Sequence, residues 1–273
     1  MCNLACANCY IESTPTNDAL VYLTSSEVAT FLDEVERERL GTRQIGFTGG
    51  EPFMNPEFMV MLEDALSRGF EALVLTNAMR PMEKRAELLL DLKKRFGPAL
   101  EVRVSVDHFT RQLHETERGP RSWGPMLRGL KWLSQNGFRV SAAARTQWGD
   151  DELSMREGFR RFFSDHDIAI DADSPQCLVV FPEMDETAVV PEITTACWGL
   201  LGVRPDDMMC ATSRMVVRRK GEPHPVVVAC TLLPYEPDFE LGQTLADALQ
   251  PVKLKHRHCA KFCVLGGGAC SVS

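Results

Sequence analysis

Three cysteines within the first nine residues place the tightest constraint on what this chain can fold into. Cys2, Cys6 and Cys9 are separated by three residues and then by two, so their thiol groups share one short loop and can converge on a single metal site. A structural zinc ion needs a fourth ligand, whereas three thiolates leave one iron of an iron-sulfur cluster open to another molecule. The spacing alone therefore allows either kind of metal site.

The remaining cysteines indicate a second metal site toward the C-terminus. The chain has ten cysteines, none between Cys9 and Cys177, and five of them lie from Cys210 to Cys270. Without a secretory signal, thiols are kept more often for metal or redox chemistry than for disulfides. For Cys177 and Cys197 we expect buried small side chains or isolated thiols instead.

Between these two groups of cysteines, short apolar strands alternate with amphipathic helices. Apolar spacing predicts helices over residues 24–40, 57–68, 83–96, 122–135 and 152–163, and strands over residues 44–48, 72–76, 102–106 and 138–144. Repeated strand-helix units with uninterrupted apolar strands indicate a parallel sheet covered by helices, either open or curled into a full or partial barrel. We therefore predict an α/β fold.

Polar residues follow several of the predicted strands. In parallel α/β folds the chemistry gathers at the carboxyl ends of the strands. The polar sequences found there are Gly49-Gly50-Glu51-Pro52, Thr76-Asn77, Ser105-Val106-Asp107-His108 and Arg145-Thr146. We expect these sequences to surround one site.

The cysteine loop and the motif after the first predicted strand together resemble the radical S-adenosylmethionine (SAM) superfamily. The C-x3-C-x2-C spacing is that family's hallmark, on the loop after the first barrel strand. Gly49-Gly50-Glu51-Pro52 (hereafter the 49–52 motif) matches, residue for residue, the family motif that binds the methionine amino group. Glycines let the backbone approach a ligand, and a carboxylate or carbonyl suits an ammonium.

This resemblance implies a fold, two cofactors and a reaction. The fold would be a partial (β/α) barrel of the TIM-like radical SAM type. Cys2, Cys6 and Cys9 would hold a [4Fe–4S] cluster whose open iron chelates SAM. The reduced cluster would donate one electron to the sulfonium, and the 5′-deoxyadenosyl radical so formed would abstract hydrogen from a substrate.

The resemblance also implies weaker assignments of cofactor-binding residues. Ser105 and Asp107 would contact the ribose or the methionine carboxylate, and Arg145 would pair with a carboxylate of the cofactor or substrate. Tyr10 would pack against the adenine, and Asn77 is a further candidate. The alternatives are loop capping for Ser105 and Asp107, core packing for Tyr10 and a structural role for Arg145 and Asn77.

Two features depart from the family pattern. Asn8 stands before Cys9, where the family usually has an aromatic or apolar residue. The sequence starts at Met1, so the strand expected before the cysteine loop is absent. Either the natural chain begins upstream, which we favour, or the first barrel strand is missing and a neighbouring strand edge is unpaired.

The late cysteines resemble the twitch or SPASM extensions of radical enzymes, which carry auxiliary iron-sulfur clusters. Cys210 and Cys230 flank a hairpin predicted over residues 215–228, and the last three cysteines follow a short helix predicted over residues 244–249. We predict Cys210, Cys230, Cys259 and Cys263 as ligands, with Cys270 as a replacement for one of them. A zinc-stapled subdomain is the alternative.

We accordingly divide the chain into three parts. Residues 1–165 form a radical SAM core, and residues 166–196 form a linking segment that includes a strand predicted over residues 177–181. Residues 197–273 form a small cysteine-rich α+β extension.

Composition limits the classes of function. The chain is 44% hydrophobic and 25% charged, as in a soluble globular protein, and its net charge of −8 argues against general nucleic-acid binding. No apolar run approaches the ~20 residues that cross a bilayer, and no signal peptide is recognisable, so we expect a cytoplasmic protein without a membrane partner. A basic stretch over residues 253–261 is either a solvated face or a surface for an anionic substrate or partner.

Two hypotheses about function follow. The first is a radical SAM enzyme that acts on a peptide or small organic substrate, with oxidation or crosslinking as the outcome and a flavodoxin- or ferredoxin-type reductase as the electron donor. The second is a metal-stapled binding or electron-transfer protein without radical chemistry. The 49–52 motif favours the first, because a zinc-binding scaffold has no need for a strand end that binds an amino acid.

Overall fold

The computed structural model describes residues 1–183 and 189–267. The predicted ligand Cys270 lies outside the described residues. The strands are β1 (Leu20–Val21), β2 (Gln44–Phe47), β3 (Glu71–Thr76), β4 (Leu100–Asp107), β5 (Arg139–Thr146), β6 (Leu178–Pro182), β7 (Met215–Arg219), β8 (Val226–Val228) and β9 (Glu240–Gly242).

Most helices connect the strands of the first half. They are α1 (Ser25–Arg37), α2 (Phe58–Ser67), α3 (Arg80–Glu83), α4 (Ala86–Phe96), α5 (Arg111–Arg118), α6 (Trp123–Gln135), α7 (Glu152–Asp165), α8 (Ala196–Leu201) and α9 (Met209–Thr212). Single 3₁₀ turns cover Pro52–Met54, Gly97–Ala99, Pro205–Asp207, Pro237–Phe239 and Asp247–Leu249, and a π-helix covers Cys259–Leu265.

The main body is a parallel sheet in which strands β2 to β6 follow one another in chain order. The five strands curl into a half-barrel with helices between them, which confirms the predicted partial (β/α) barrel. Strand β2 forms one edge, because among the described residues it pairs with β3 alone within this sheet. The carboxyl ends of all five strands point the same way and define one face for the site.

The hydrophobic core lies between this sheet and its helices. Strand β4 is the central strand, and seven of its eight residues are buried, as expected for a parallel strand covered on both faces. Leu62 from α2, Leu89 from α4, Leu130 from α6 and Phe159 from α7 are fully buried against the sheet. Each such side chain contributes roughly 1.5–3 kcal/mol of hydrophobic stabilisation.

Local signals set the first long helix. Thr24 accepts a hydrogen bond from the backbone of Glu27, whose side chain accepts one from the backbone of Thr24, so the predicted capping box is confirmed. The helix ends at Arg37, before the predicted end near Gly41. The backbone of Arg39 has already turned to a φ of 52°, which a helix cannot contain.

Two predicted helices differ from the observed ones. The helix predicted over residues 83–96 begins three residues later, as α4 at Ala86, and the short helix α3 precedes it. The segment predicted as helical over residues 244–249 holds the 3₁₀ turn Asp247–Leu249. Helix α5 was not predicted, because its sequence is almost wholly polar and buries only His114 and Glu117.

Strand β6 extends the main sheet into the part of the chain we predicted as a linking segment. It pairs in parallel with β5, with Ala143 beside Val179. The division into core, linking segment and extension stays a prediction.

The second sheet contains the predicted hairpin. Strands β7 and β8 pair antiparallel, β9 joins β8, and β1 from the N-terminal segment joins β7. Helix α1 also holds this part of the chain. Glu27 forms an ion pair with Arg218, and the buried carboxylate of Glu34 accepts hydrogen bonds from the backbone of Leu245 and Ala246, both at 3.0 Å.

Among residues 1–183 and 189–267, no helix has both the length and the apolar character needed to cross a membrane.

Candidate functional site

The cysteine loop, residues 2–9, lies against the carboxyl ends of the parallel strands. The backbone N–H of Glu51, after β2, donates to the carbonyl oxygen of Met1 at 3.2 Å, and the N–H of Ala7 donates to the carbonyl oxygen of Glu117 at 2.8 Å. The amide of Asn77, after β3, donates to the side-chain oxygen of Asn3 at 2.9 Å. The sheet and helix α5 therefore fix the loop at both of its ends.

The two glycines of the 49–52 motif are required for different reasons. Gly49 has a φ of +125°, a conformation that residues with a side chain rarely adopt. Gly50 has an ordinary φ, but a Cβ atom there would lie 2.0 Å from the carbonyl oxygen of Met1. Only glycine lets the end of β2 approach the cysteine loop this closely.

Glu51 connects the ends of strands β2 and β3. Its carboxylate is 1% exposed and accepts hydrogen bonds from the Thr76 hydroxyl, at 2.9 and 3.0 Å, and from the backbone N–H groups of Asn77 and Phe53. Burial raises the pKa of Glu51 to about 7, although these hydrogen bonds oppose the rise. In the structure this carboxylate therefore organises the strand ends.

Asn77 connects the end of β3 to the cysteine loop. Its side-chain oxygen accepts from the backbone N–H of Met79 at 3.1 Å, and its amide lies 4.0 Å from the Cys2 sulfur. Since its amide also donates to Asn3, this buried side chain supports the first cysteine directly.

Asp107 lies at the centre of a buried ion-pair network. It has a φ of 60°, is 2% exposed, and accepts hydrogen bonds from the Nε atoms of Arg118 at 2.6 Å and Arg145 at 3.1 Å. Burial alone would raise the pKa of Asp107, but Arg118 and Arg145 together hold it below its usual range. Asp107 is an anchor for two arginines, which is more than the loop capping considered from the sequence.

Arg145 reaches from β5 to the cysteine loop. Its Nη1 donates to the backbone carbonyl of Asn8 at 2.6 Å, and its guanidinium lies 4.1 Å from the centre of the Tyr10 ring. Tyr10 also makes edge contacts with Phe181 and Phe262. The Tyr10 ring thus packs between the main sheet and the π-helix.

Ser105 is less buried than Asp107 and Arg145. It is half-buried on β4 and pairs in register with Ala143 of β5.

Two thiols of the cysteine loop, those of Cys2 and Cys6, lie in a setting that favours their protonated form. Burial raises the pKa of Cys6 to about 11 and also raises that of Cys2, and in both cases the positive charge of Arg118 opposes the rise. Metal binding must therefore displace protons from these thiols. Within the described residues, no three Cys, His, Asp or Glu side chains are arranged closely enough to hold a single metal ion.

A cleft of about 740 Å³ opens beside the cysteine loop. Its walls come from the loop, from the end of β6 and from two segments of the C-terminal part of the chain. Cys9 and Tyr10 line it on one side, Tyr235 on another, and Arg257 brings a residue of the basic stretch into its wall. The cleft is therefore open directly beside Cys9.

The four cysteines predicted as a second ligand group meet at one small apolar cavity. Cys210, Cys230, Cys259 and Cys263 all line it. The β7–β8 hairpin brings the first two together, and the π-helix places the last two about one turn apart. Burial raises the pKa of Cys230 to about 12, and the cysteines of the described residues are all free of disulfides.

Sequence reasoning missed some residues that shape this site. Glu117, from the unpredicted helix α5, accepts hydrogen bonds from both the backbone and the side chain of Asn8. Glu34 holds the backbone at residues 245–246. The sequence signal for Glu117 is slight: an acidic residue directly before Arg118, with no periodic pattern around it.

A curled parallel sheet whose strand ends hold a three-cysteine loop defines a TIM-like barrel enzyme built around a metal cofactor. Comparison with known proteins gives the family. The protein-family model described as the Radical SAM superfamily matches residues 1–146, just over half of the sequence. The chain belongs to this superfamily of enzymes. The predicted family is therefore confirmed.

Curated relatives match the same half of the chain. The antilisterial bacteriocin subtilosin biosynthesis protein AlbA of Bacillus subtilis (strain 168) is 30% identical over 143 residues, 52% of this chain and 30% of AlbA. The mycofactocin maturase MftC of Mycobacterium ulcerans (strain Agy99) is 28% identical over 137 residues, 50% of this chain and 35% of MftC. The matches thus span about a third of the length of these relatives.

Solved structures share the fold at low sequence identity. The structure of anSMEcpe with bound AdoMet has a TM-score of 0.63 and 16% identity, and the similarity covers 92% of this chain and 74% of that one. Streptococcus suis SuiB bound to S-adenosylmethionine has a TM-score of 0.53 and 15% identity, over 68% of this chain and 39% of SuiB. These likenesses support the partial barrel.

Proposed function

We propose that this chain cleaves SAM reductively and uses the resulting radical to modify a peptide. One observation carries the proposal: the 49–52 motif lies directly against the cysteine loop. The N–H of Glu51 donates to the carbonyl of Met1, and Gly50 leaves no space for a side chain between them. A strand end suited to an amino-acid ligand and a loop of three thiols are therefore neighbours.

Cys2, Cys6 and Cys9 would hold a [4Fe–4S] cluster, and the chemistry of this donor set fits it, since thiolates are the usual ligands of iron-sulfur clusters. When bound, the cluster and SAM supply a 5′-deoxyadenosyl radical that abstracts hydrogen from the substrate. Arg118 lies close enough to oppose the rise in the pKa of Cys6, so it favours the thiolates that iron needs.

The residues of the 49–52 motif would bind the methionine part of SAM mainly through their backbone, because the Glu51 carboxylate already has three partners. Tyr10 lines the cleft and would face the cofactor or the substrate. For Ser105 we retain a contact with SAM.

Asn77, Asp107 and Arg145 would act chiefly by holding the cysteine loop. Their polar groups are engaged with that loop or with one another. For Arg145 a contact with a carboxylate of SAM or of the substrate stays a proposal.

The substrate we propose is a peptide, with oxidation or crosslinking as the outcome and a flavodoxin- or ferredoxin-type reductase as the electron donor. Two curated relatives are by name a bacteriocin biosynthesis protein and a maturase. One structure of SuiB contains its precursor peptide SuiA. The cleft beside Cys9 offers a volume and a polar lining that suit a peptide segment.

We further propose an auxiliary iron-sulfur cluster in a twitch- or SPASM-like extension. Cys210, Cys230, Cys259 and Cys263 line one apolar cavity, and burial of the kind seen there excludes water from a cluster. Cys270 remains a candidate replacement outside the described residues.

Reductive cleavage of SAM tests the main proposal. Protein reconstituted with iron and sulfide without oxygen and reduced with dithionite should convert SAM to 5′-deoxyadenosine, measured by chromatography. Cys6→Ala should abolish this product. Cys177→Ala is the matched control, because Cys177 packs beside the main core away from the loop, and it should retain the activity. An iron-loaded wild-type protein that leaves SAM intact would refute the proposal.

Metal analysis tests the auxiliary cluster. Two four-iron clusters give about eight iron atoms per chain, and one gives about four. Cys230→Ala should lower the iron content by about half and leave SAM cleavage at the first cluster measurable, whereas Cys197→Ala should leave the iron content unchanged. One zinc ion per chain, lost in Cys230→Ala, would instead favour a zinc-stapled extension.

A further inference from the structure

The segment between Cys6 and Cys9 consists of two residues, and one glutamate binds both. The N–H of Ala7 donates to the backbone carbonyl of Glu117 at 2.8 Å. The N–H of Asn8 donates to Glu117 Oε1 at 3.0 Å, and the side-chain amide of Asn8 donates to Oε2 at 2.9 Å. Glu117 therefore uses its carbonyl and both carboxylate oxygens on this one segment.

The opposite side of the segment is held by a positive charge. Arg145 donates to the backbone carbonyl of Asn8 at 2.6 Å and lies 3.6 Å from Glu117 Oε1. Glu117 is 1% exposed and Arg145 is 7% exposed. Hydrogen bonds that involve a charged partner are among the strongest, and burial strengthens them further.

The charges around the segment are balanced. Glu117 and Asp107 carry two negative charges, and Arg118 and Arg145 carry two positive charges; Glu117, Asp107 and Arg145 are buried, and the side chain of Arg118 is 9% exposed. Because a buried charge is costly unless it is paired, removal of one member would leave its partners uncompensated beside the thiols.

The identity of residue 8 fits this arrangement. An aromatic or apolar side chain at this position could not donate to a carboxylate. Asn8 donates to the Glu117 carboxylate twice, once from its side-chain amide and once from its backbone N–H. The unusual residue at position 8 and the buried glutamate on α5 thus form a matched pair.

We infer that Glu117 is a positioning residue for the cysteine loop, and that through Asn8 it fixes the placement of Cys6 and Cys9 before iron binds. This inference rests on the proposed function, because it takes these two cysteines as iron ligands. Residues that orient the ligands of a metal site typically change its affinity by about 10–100-fold when they are replaced.

A reciprocal exchange tests the pairing. In Asn8→Asp two carboxylates face each other at hydrogen-bond distance, so we expect iron to pass to a chelator at least about tenfold faster than from the wild type. In the double variant Asn8→Asp with Glu117→Gln, the new amide donates to the new carboxylate, and most of the lost retention should return. The release is followed by the loss of the iron-sulfur absorption.

A second measurement separates positioning from folding. Glu117→Gln alone removes one buried negative charge near the cluster, so its midpoint potential should become less negative in a titration followed by electron paramagnetic resonance. Glu115→Gln, on the same helix but paired with the exposed Arg111 instead of with residues 7 and 8, is the matched control and should leave both the potential and the release rate unchanged.

The outcomes keep the two proposals apart. Wild-type protein that binds no iron at its first three cysteines would refute the proposed function. Wild-type protein that binds iron, with an Asn8→Asp variant that retains it equally well or a double variant that releases it no more slowly than Asn8→Asp, would refute the role of Glu117 alone.

Discussion

Gly50→Ala is the sharpest perturbation of the contact between the sheet and the cysteine loop. The added Cβ would lie 2.0 Å from the carbonyl oxygen of Met1, 2.5 Å from its carbonyl carbon and 3.0 Å from the nitrogen of Cys2. Ordinary contact begins at 3.4 Å, so the carbonyl oxygen must retreat by at least 1.4 Å. The obstacle is backbone, which cannot rotate away as a flexible side chain can, and the loop must move as a unit.

The retreat has a calculable cost. The Glu51 N–H to Met1 carbonyl bond is already 3.2 Å long, and moving the acceptor away breaks it, at roughly 1 kcal/mol. Forcing a methyl group into a packed site costs typically about 1–3 kcal/mol. If displacement of the loop takes about 2 kcal/mol of this cost from the binding free energy of SAM, binding weakens roughly thirtyfold.

Calorimetric titration of SAM into the reconstituted protein measures this loss. Gly46→Ala is the matched control, since a Cβ at Gly46, four residues earlier on β2, meets nothing within 4 Å. It should bind SAM as the wild type does. Equal affinities for Gly50→Ala and Gly46→Ala, at equal iron content, would show that the close approach of strand end and loop does not matter for the cofactor.

Three further predictions concern stability of the metal-free protein in urea unfolding. Burial raises the folded-state pKa of Glu51 to about 7 from an ordinary 4.5, so between these pH values the folded state holds a proton that the unfolded chain has released. The free energy of unfolding should therefore fall by up to about 3 kcal/mol as the pH rises from about 4.5 to about 7. Glu51→Gln should flatten this slope, and an unchanged slope would contradict the assignment. Glu34→Ala should cost roughly 1–3 kcal/mol, because the N–H groups of Leu245 and Ala246 lose their acceptor, and it should speed proteolysis after residue 245 more than in the body of the sheet. Thr24→Ala should cost about 1 kcal/mol by removing the cap of α1, and a change below the error of the measurement would contradict a role for that cap.

The sequence predicts those elements whose signals are local or periodic. Strand β3 is an apolar run, strand β4 alternates apolar and polar residues, and the cap of α1 depends on Thr24 and Glu27, which are three residues apart in the chain. The turn residues between β7 and β8 predict their hairpin. The family resemblance needs two short motifs in the right order, and both are contiguous in the chain.

What the sequence cannot predict depends on pairs that are distant in the chain. Glu51 is recognisable within its motif, but its partners Thr76 and Asn77 follow from the register of β2 against β3. Glu117 lies more than a hundred residues from Asn8 and on a helix too polar to show a hydrophobic period. Such contacts are set by topology, which a single sequence does not display.

The polar residues at the strand ends therefore have a role that precedes any cofactor. Free thiols whose pKa is raised by burial are neutral, so nothing in their own charge draws Cys2 and Cys6 together or apart. Their placement has to come from the backbone around them, and the structure anchors that backbone to the sheet through Glu51 and to α5 through Glu117. When iron displaces the thiol protons, the new negative charge appears beside Arg118, which burial and Asp107 already hold in place. A loop positioned in advance loses little conformational entropy when it binds metal, so the cluster binds more tightly.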